Sequence, residues 1–265
     1  NAEWLRATPG LTIVGASAMR DDMLRDGAKN RASFLVSLPG TVQFLAERIE
    51  KGKGLDDQPA DSTELAAFRA YSTLIARFAA ESALTHPTPP SRVFDGELSI
   101  DLGGRRVRVL EMGAAHTRAD VAVSVEDARI VAAGDLVIWP VPFVGSTSLP
   151  LQFGATLQRL LALPHVAIVP GHGPVQRDDA YITLSREMIV ALSSQVDSLR
   201  RLGVPLDSVR SRLDVARFRD RLTGADRLRR ALWNTYVMAS AIPKAYDDGA
   251  RADSARGAGA GLFSR

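Results

Sequence analysis

The sequence predicts an α/β layered fold with mixed sheets. Three observations point to it. Alternating strand patterns lie between Glu97 and Ala132, and short all-apolar strand runs stand at Leu11 to Val14 and Val166 to Val169. Helical apolar spacing flanks the alternating region on both sides. Strands and helices follow each other in an order suited to layers rather than to a bundle or an all-β sandwich.

Taken in order, Ala2 to about Ala7 has helical character and stops at Thr8-Pro9-Gly10. Leu11-Thr12-Ile13-Val14 is a short apolar run between Gly10 and Gly15 and reads as a buried strand. Val42, Leu45, Ala46 and Ile49 recur at helical spacing, predicting a helix over Thr41 to Lys51. Gly52 to Ser62 is a charged loop, and Ser62-Thr63-Glu64-Leu65 starts a second helix whose face carries Leu65, Phe68, Leu74, Ile75 and Phe78. His86-Pro87-Thr88-Pro89-Pro90 then breaks the chain.

Glu97 to Leu102 and Arg105 to Met112 alternate about a Gly103-Gly104 turn and predict a hairpin. Val121 to Val125 and Arg129 to Ala132 form a second pair turning at Glu126-Asp127-Ala128. Ala155 to Leu163 reads as a helix, and Val166 to Val169 as a buried strand entering Pro170-Gly171-His172-Gly173-Pro174. Long helices follow, over Asp178 to Leu202, from Asp207 near Pro205, and over Ala225 to Ile242. Gly249 to Arg265 is rich in Gly, Ala and Ser and reads as a flexible tail. The implied organisation is a domain over 1–175 with a helical insertion at about 41–85, a helical extension over 176–248 packed on it, and the tail 249–265.

Composition limits the chemistry. With 265 residues, 46% hydrophobic and 24% charged, the chain can bury a core. Thirty-three Lys+Arg stand against 30 Asp+Glu, a formal charge of +3, which makes no electrostatic case for nucleic acid. Arg217 to Arg230 is dense in arginine, but Asp220 and Asp226 interrupt it, as on a solvated helix face. No run reaches the roughly 18 apolar residues of a membrane span, so no membrane partner is expected. There is no Cys, which excludes disulfides, thiolate nucleophiles and Cys-ligated zinc. This fits cytoplasm and periplasm alike. Any metal must be held by carboxylates and the four histidines, His86, His116, His165 and His172.

Three polar segments close strands. They are Gly113-Ala114-Ala115-His116-Thr117-Arg118-Ala119-Asp120, Ala133-Gly134-Asp135-Leu136 and Val169-Pro170-Gly171-His172-Gly173-Pro174. Singly, each has a plain structural account: a hydrogen-bonded histidine, an Asp turn, a rigid Pro-Gly loop. Together they offer two imidazoles and a carboxylate, donors that zinc accepts.

In order and spacing, with His116, Asp135 and His172 separated by 19 and 37 residues, the three segments resemble those of the metallo-β-lactamase-fold hydrolases. The hairpin leading into His116 and the helix before the Pro-Gly-His-Gly-Pro loop are similar too. The match covers about Val93 to Val175. It departs at Ala119, where the family usually has Gly, while Thr117 and Asp120 are kept.

The resemblance implies an αββα sandwich with extra C-terminal helices. It also implies a dinuclear zinc hydrolase acting on a small-molecule substrate through a hydroxide held by the metals. His116 and His172 would be ligands, and Asp135 the bridge. Thr117 and Asp120 would support them, and Trp139 and Phe143 would wall a substrate pocket, though core packing explains those aromatics equally well. The family's His-x-His-x-Asp-His segment, which supplies four more ligands, has no counterpart here. Asn1 to Arg6 and Leu11 to Val14 resemble the short helix and strand that succeed that segment in the family. The resemblance therefore implies a chain beginning just past it, with part of the first layer missing. Metal binding by these residues alone is then expected to be weak and hydrolysis negligible. The competing expectation is a non-catalytic relative that serves as an interaction module.

Overall fold

A computed structural model describes residues 1–145 and 147–260. The chain is α/β, as expected, and divides into two compact units, Asn1–Phe94 and Asp95–Arg265.

The first unit is mostly helical. α1 (Ala2–Ala7) and the short strand β1 (Val14–Ala16) precede α2 (Ser17–Lys51) and α3 (Ser62–Ser82). Strand β2 (Arg92–Phe94) pairs in parallel with β1, Val14 opposite Arg92. The expected strand Leu11–Val14 is therefore displaced toward Ala16. The expected helix over 41–51 is the last third of a 35-residue helix. Its earlier turns run through the charged stretch Arg20 to Asn30, where apolar periodicity gives no signal, and through Pro39, which lacks the N–H that would bond Leu35. Leu38 and Leu45 of α2 pack on Phe68 and Ile75 of α3. Asp61 and Glu64 form a capping box at the start of α3, so the cap is one residue earlier than Ser62.

The second unit is built on a five-stranded sheet in sequence order: β3 (Glu97–Asp101), β4 (Arg106–Gly113), β5 (Asp120–Val125), β6 (Ile130–Ile138) and β7 (Ala167–His172). The first four strands pair antiparallel, and β7 joins β6 in parallel. The predicted hairpin turn is present. Gly103 and Gly104 take φ of 74° and 97°, and their N–H groups donate to Asp101 Oδ1 at 2.9 and 3.3 Å.

α4 (Pro150–Leu161) crosses between β6 and β7 and starts five residues before the expected helix, with Pro150 in its first turn. α5 (Ala180–Arg201) follows β7. Leu110, Met112, Ala122, Val131 and Ile168 of the sheet share one core with Phe153, Leu157 and Leu160 of α4 and with Met188, Ile189 and Leu192 of α5. The alternate residues form the other sheet face. One row, Leu98, Val109, Val123, Ala132 and Val169, crosses all five strands, and every member is partly or fully exposed.

The remaining helices are α6 (Leu206–Val209), a 3-10 turn (Arg210–Arg212), α7 (Ala216–Thr223), α8 (Arg227–Trp233), a π-helical segment (Asn234–Ala241) and α9 (Ile242–Ala260). They share the core of the sheet through Phe218, Trp233, Val237 and Ile242. The tail expected from Gly249 is helical to Ala260, and residues 261–265 of that expectation lie outside the described residues. The Asp197–Arg200–Asp253 ion pairs tie α9 to α5. Among the described residues no helix is long and apolar enough to cross a membrane.

Candidate functional site

The parallel pair β6 and β7 ends side by side, and the site is built at those carboxyl ends. Asp135 does not follow a strand, as the sequence suggested. It lies inside β6, which continues to Ile138 past an irregularity at Gly134, whose φ is 53°. His172 is likewise the last residue of β7 rather than part of the following loop. Both side chains are thereby held by the sheet ladder.

His116 reaches the same place from the turn between β4 and β5. That turn is pinned on several sides. Thr147 Oγ1 and Ser148 Oγ both donate to His116 O at 3.1 Å, Leu149 N–H donates to Ala115 O at 2.8 Å, and Thr156 Oγ1 donates to Ala114 O at 2.7 Å. Asp120 accepts from Thr117 N–H and Thr117 Oγ1, each at 2.9 Å. Burial pushes the Asp120 carboxyl above its ordinary value, and the two Thr117 bonds oppose that shift. Thr117 and Asp120 thus shape the turn that presents His116. Ala119, at the family's usual Gly position, is buried and is not in the left-handed region, so its methyl introduces no backbone strain.

The three residues singled out in sequence converge. His172 Nε2 lies 3.4 Å from Asp135 Oδ1, and His116 Nδ1 lies 4.0 Å from Asp135 Oδ2. Each imidazole therefore faces a different oxygen of one carboxylate. The set opens to solvent on one side: the His172 and Asp135 side chains are 65% and 41% exposed, against 15% for His116. His116 Nε2 is buried without a hydrogen-bond partner. This is the ring nitrogen that does not face Asp135, and an orphaned buried nitrogen is costly.

Sterics explain the glycines around His172. A Cβ on Gly171 would lie 2.1 Å from Asp135 Oδ1 and 2.7 Å from the Gly134 carbonyl carbon. Gly173 takes φ of 102°, and a Cβ there would lie 2.5 Å from Trp139 Cβ. Gly171 thus admits the Asp135 carboxylate beside the end of β7, and Gly173 admits Trp139.

The expected pocket aromatics stand beside these groups. Trp139 N–H donates to His172 O at 3.0 Å. The Phe143 ring lies 5.9 Å from that of His116 and 4.7 Å from that of Tyr236 in the π-helical segment. Ser240 Oγ donates to Val144 O at 2.6 Å, and Tyr181 Oη donates to Ile138 O. Burial holds the Tyr181 hydroxyl far above its usual pKa, keeping it a donor. Tyr236, Ser240 and Tyr181 gave no signal in sequence, because isolated residues on amphipathic helices read as packing. His165 is elsewhere, between Leu163 O and Asp179, and His86 belongs to the first unit.

The donor set suits zinc in kind, but not in number. Each of two ions would meet two donors, one imidazole and one oxygen of Asp135, where zinc takes three or four protein ligands. Among the described residues no group of three or more His, Cys, Asp or Glu is placed to hold a metal ion as it stands.

No family model matches the chain, and no curated protein does. The solved structures it is similar to have the metallo-β-lactamase fold. A metallo-β-lactamase from Pontibacter korlensis is 22% identical over 48% of this chain and 62% of its own, with a TM-score of 0.36. The DIM-1 metallo-β-lactamase is 19% identical over 44% and 55%, with a TM-score of 0.35. A stereoselective inverting sec-alkylsulfatase from Pseudomonas sp. is 11% identical over 58% and 27%, with a TM-score of 0.43. The chain thus spans 62% and 55% of the length of these two β-lactamases.

Proposed function

We propose that this chain supplies one part of the metal centre of a dinuclear zinc hydrolase, with His116, Asp135 and His172 as ligands and the remaining ligands contributed by sequence beyond these residues. One observation carries the reading: two histidines from separate segments face opposite oxygens of a single carboxylate. That geometry supports Asp135 as a bridge. Zinc, when bound, supplies Lewis acidity and a nucleophile at neutral pH.

The chain's own residues bind and orient. The sheet ladder fixes Asp135 and His172, and the Thr147 and Ser148 hydroxyls fix the backbone of His116. The Phe143 ring packs beside the His116 imidazole, and the Trp139 backbone N–H holds the His172 backbone carbonyl. Within these residues each ion would have two ligands, so the 265-residue chain binds zinc weakly and hydrolyses little.

Zinc titration by calorimetry tests this. The expected affinity of the isolated chain is weaker than micromolar, and sub-micromolar binding would refute the donor count. The coding sequence upstream of Asn1 is the second test. A reading frame that contains His-x-His-x-Asp-His, and whose longer product binds two zinc ions per chain, supports the hydrolase. A start codon directly before Asn1 supports instead the non-catalytic interaction module.

A further inference from the structure

The two long helices of the first unit carry two apolar stripes and bury only one. α2 and α3 run antiparallel: Ala60 N–H donates to Gly52 O at the loop, and Arg31 donates to Ser82 O and Ala83 O at the far end. Between those ends Leu38 and Leu45 pack on Phe68 and Ile75. A second stripe runs beside this seam. On α3 it is Tyr71, Leu74 and Phe78, at spacing i, i+3 and i+7, and on α2 it is Phe34 and Phe44. The Phe34 and Phe78 rings meet edge to face with centroids 5.7 Å apart, which joins the two rows into one face. These five residues are each 41–60% exposed.

Four buried hydrophobics are a small core for helices of 35 and 21 residues, which owe most of their stability to tertiary packing. An exposed apolar face beside such a core marks a contact surface. Its chemistry selects the occupant. A helix that lies on a membrane presents free cations to the headgroups. The arginines next along these rows are engaged instead. Arg48 stacks on Phe44 at 4.8 Å and bonds to Asp57 and the Gly54 carbonyl, and Arg77 pairs with Glu81 at 2.7 Å. A second copy suits the face better. A twofold axis sets an identical two-helix face against it and closes a four-helix bundle around one shared core. The area suffices. The five side chains leave roughly 450 Å² open per copy. A pair would bury about 900 Å² before rim residues are counted, close to the roughly 1,000 Å² of a specific interface.

We propose that this face of α2 and α3 binds a second copy of the chain, so that two hairpins form a twofold dimer through a four-helix bundle. Leu74, between Tyr71 and Phe78 on its row, is the most exposed of the five residues and contributes most to the contact. The dimer is independent of the reading of His116, Asp135 and His172, because every residue it uses belongs to the first unit.

Sedimentation of the full 265-residue chain across a concentration series tests it. A reversible dimer with a Kd on the order of micromolar is expected for an interface of this size. Leu74→Glu is expected to weaken it at least about tenfold, with the far-UV circular dichroism unchanged. Val123→Lys, on the exposed sheet face of the second unit, is expected to leave the dimer intact. The chain has no cysteine, so Leu74→Cys supplies a unique thiol. A bismaleimide is expected to link two Leu74→Cys chains, and not two chains of Leu102→Cys, an equally exposed leucine of the second unit. A monomer at every concentration would overturn the proposal, and its binding to phosphatidylglycerol vesicles would assign the face to a membrane instead. A dimer that survives Leu74→Glu, one that Val123→Lys dissolves, or one that links only through Leu102→Cys would overturn it as well.

Discussion

Replacing Gly171 by Ala adds one methyl group at the tightest point of the site. The new Cβ would stand 2.1 Å from Asp135 Oδ1, 2.7 Å from Gly134 C and 2.9 Å from Asp135 N. Two of those three neighbours are backbone atoms of β6, so a side-chain rotation cannot relieve the clash. β6 and β7 must part locally, at the Gly134 and Pro170 pairing. Overpacking of this kind costs about 1–3 kcal/mol, and the backbone contacts place it toward the upper end. For a unit of this size that is a fall in Tm of roughly 4–12 °C. Thermal and urea denaturation of the variant measure it, beside Gly40→Ala as a control. Gly40 lies inside α2 with open space around it, so the same methyl there is expected to stabilise by about 0.5–1 kcal/mol. A Gly171→Ala protein with wild-type Tm would refute the claim that close approach of Asp135 dictates glycine in this loop.

Three further outcomes are expected from the packing. Asp248 is buried and accepts the Leu151 N–H at 3.1 Å, capping an α4 start that has no cap of its own. Asp248→Ala is expected to cost about 1–2 kcal/mol in urea denaturation. Lys244 is held below its usual pKa first by burial and then by Arg251, against the opposing pull of Asp248 and Asp247. The native state thus resists the charged form, and wild-type stability rises as pH climbs from the depressed folded value to the unfolded one near 10.5. Lys244→Met is therefore expected to be the more stable protein at pH 7, with its advantage shrinking toward pH 10.5; a growing advantage contradicts the burial account. Val123 sits at the centre of the exposed aliphatic sheet face, so Val123→Lys is expected to lower binding of an apolar dye and to raise solubility with little change in Tm.

The sequence revealed those features whose cause is local. The Gly103-Gly104 hairpin was legible because a primed turn needs positive φ at both residues, and the start of α3 was legible at Ser62-Thr63-Glu64-Leu65 to within one residue of its true cap, Asp61. His116, Asp135 and His172 were legible through motif order, and the structure brings them to one point. Features set by tertiary context were not. The first 24 residues of α2 bury little and so carry no apolar period. The continuation of β6 through Asp135 depends on an irregularity at Gly134 that looks like a turn in one dimension. Arg229 sits in an arginine-dense stretch that reads as solvated helix, and only its stacking on Trp139 distinguishes it.

The glycines join these two levels. In one dimension Pro170-Gly171-His172-Gly173-Pro174 is only a rigid loop. In three, each glycine clears a different neighbour: Gly171 admits the Asp135 carboxylate, and Gly173 admits Trp139. The first clearance lets a histidine approach a carboxylate, and the second sets beside that histidine the indole on which Arg229 rests. One Gly-His-Gly segment therefore sets both the approach of His172 to Asp135 and the seat of Trp139. Enlarging Gly171 should disturb the donors first, and enlarging Gly173 the seat of Trp139 first. A single structural motif thus makes two chemically separable demands, and each demand is met by the absence of one side chain.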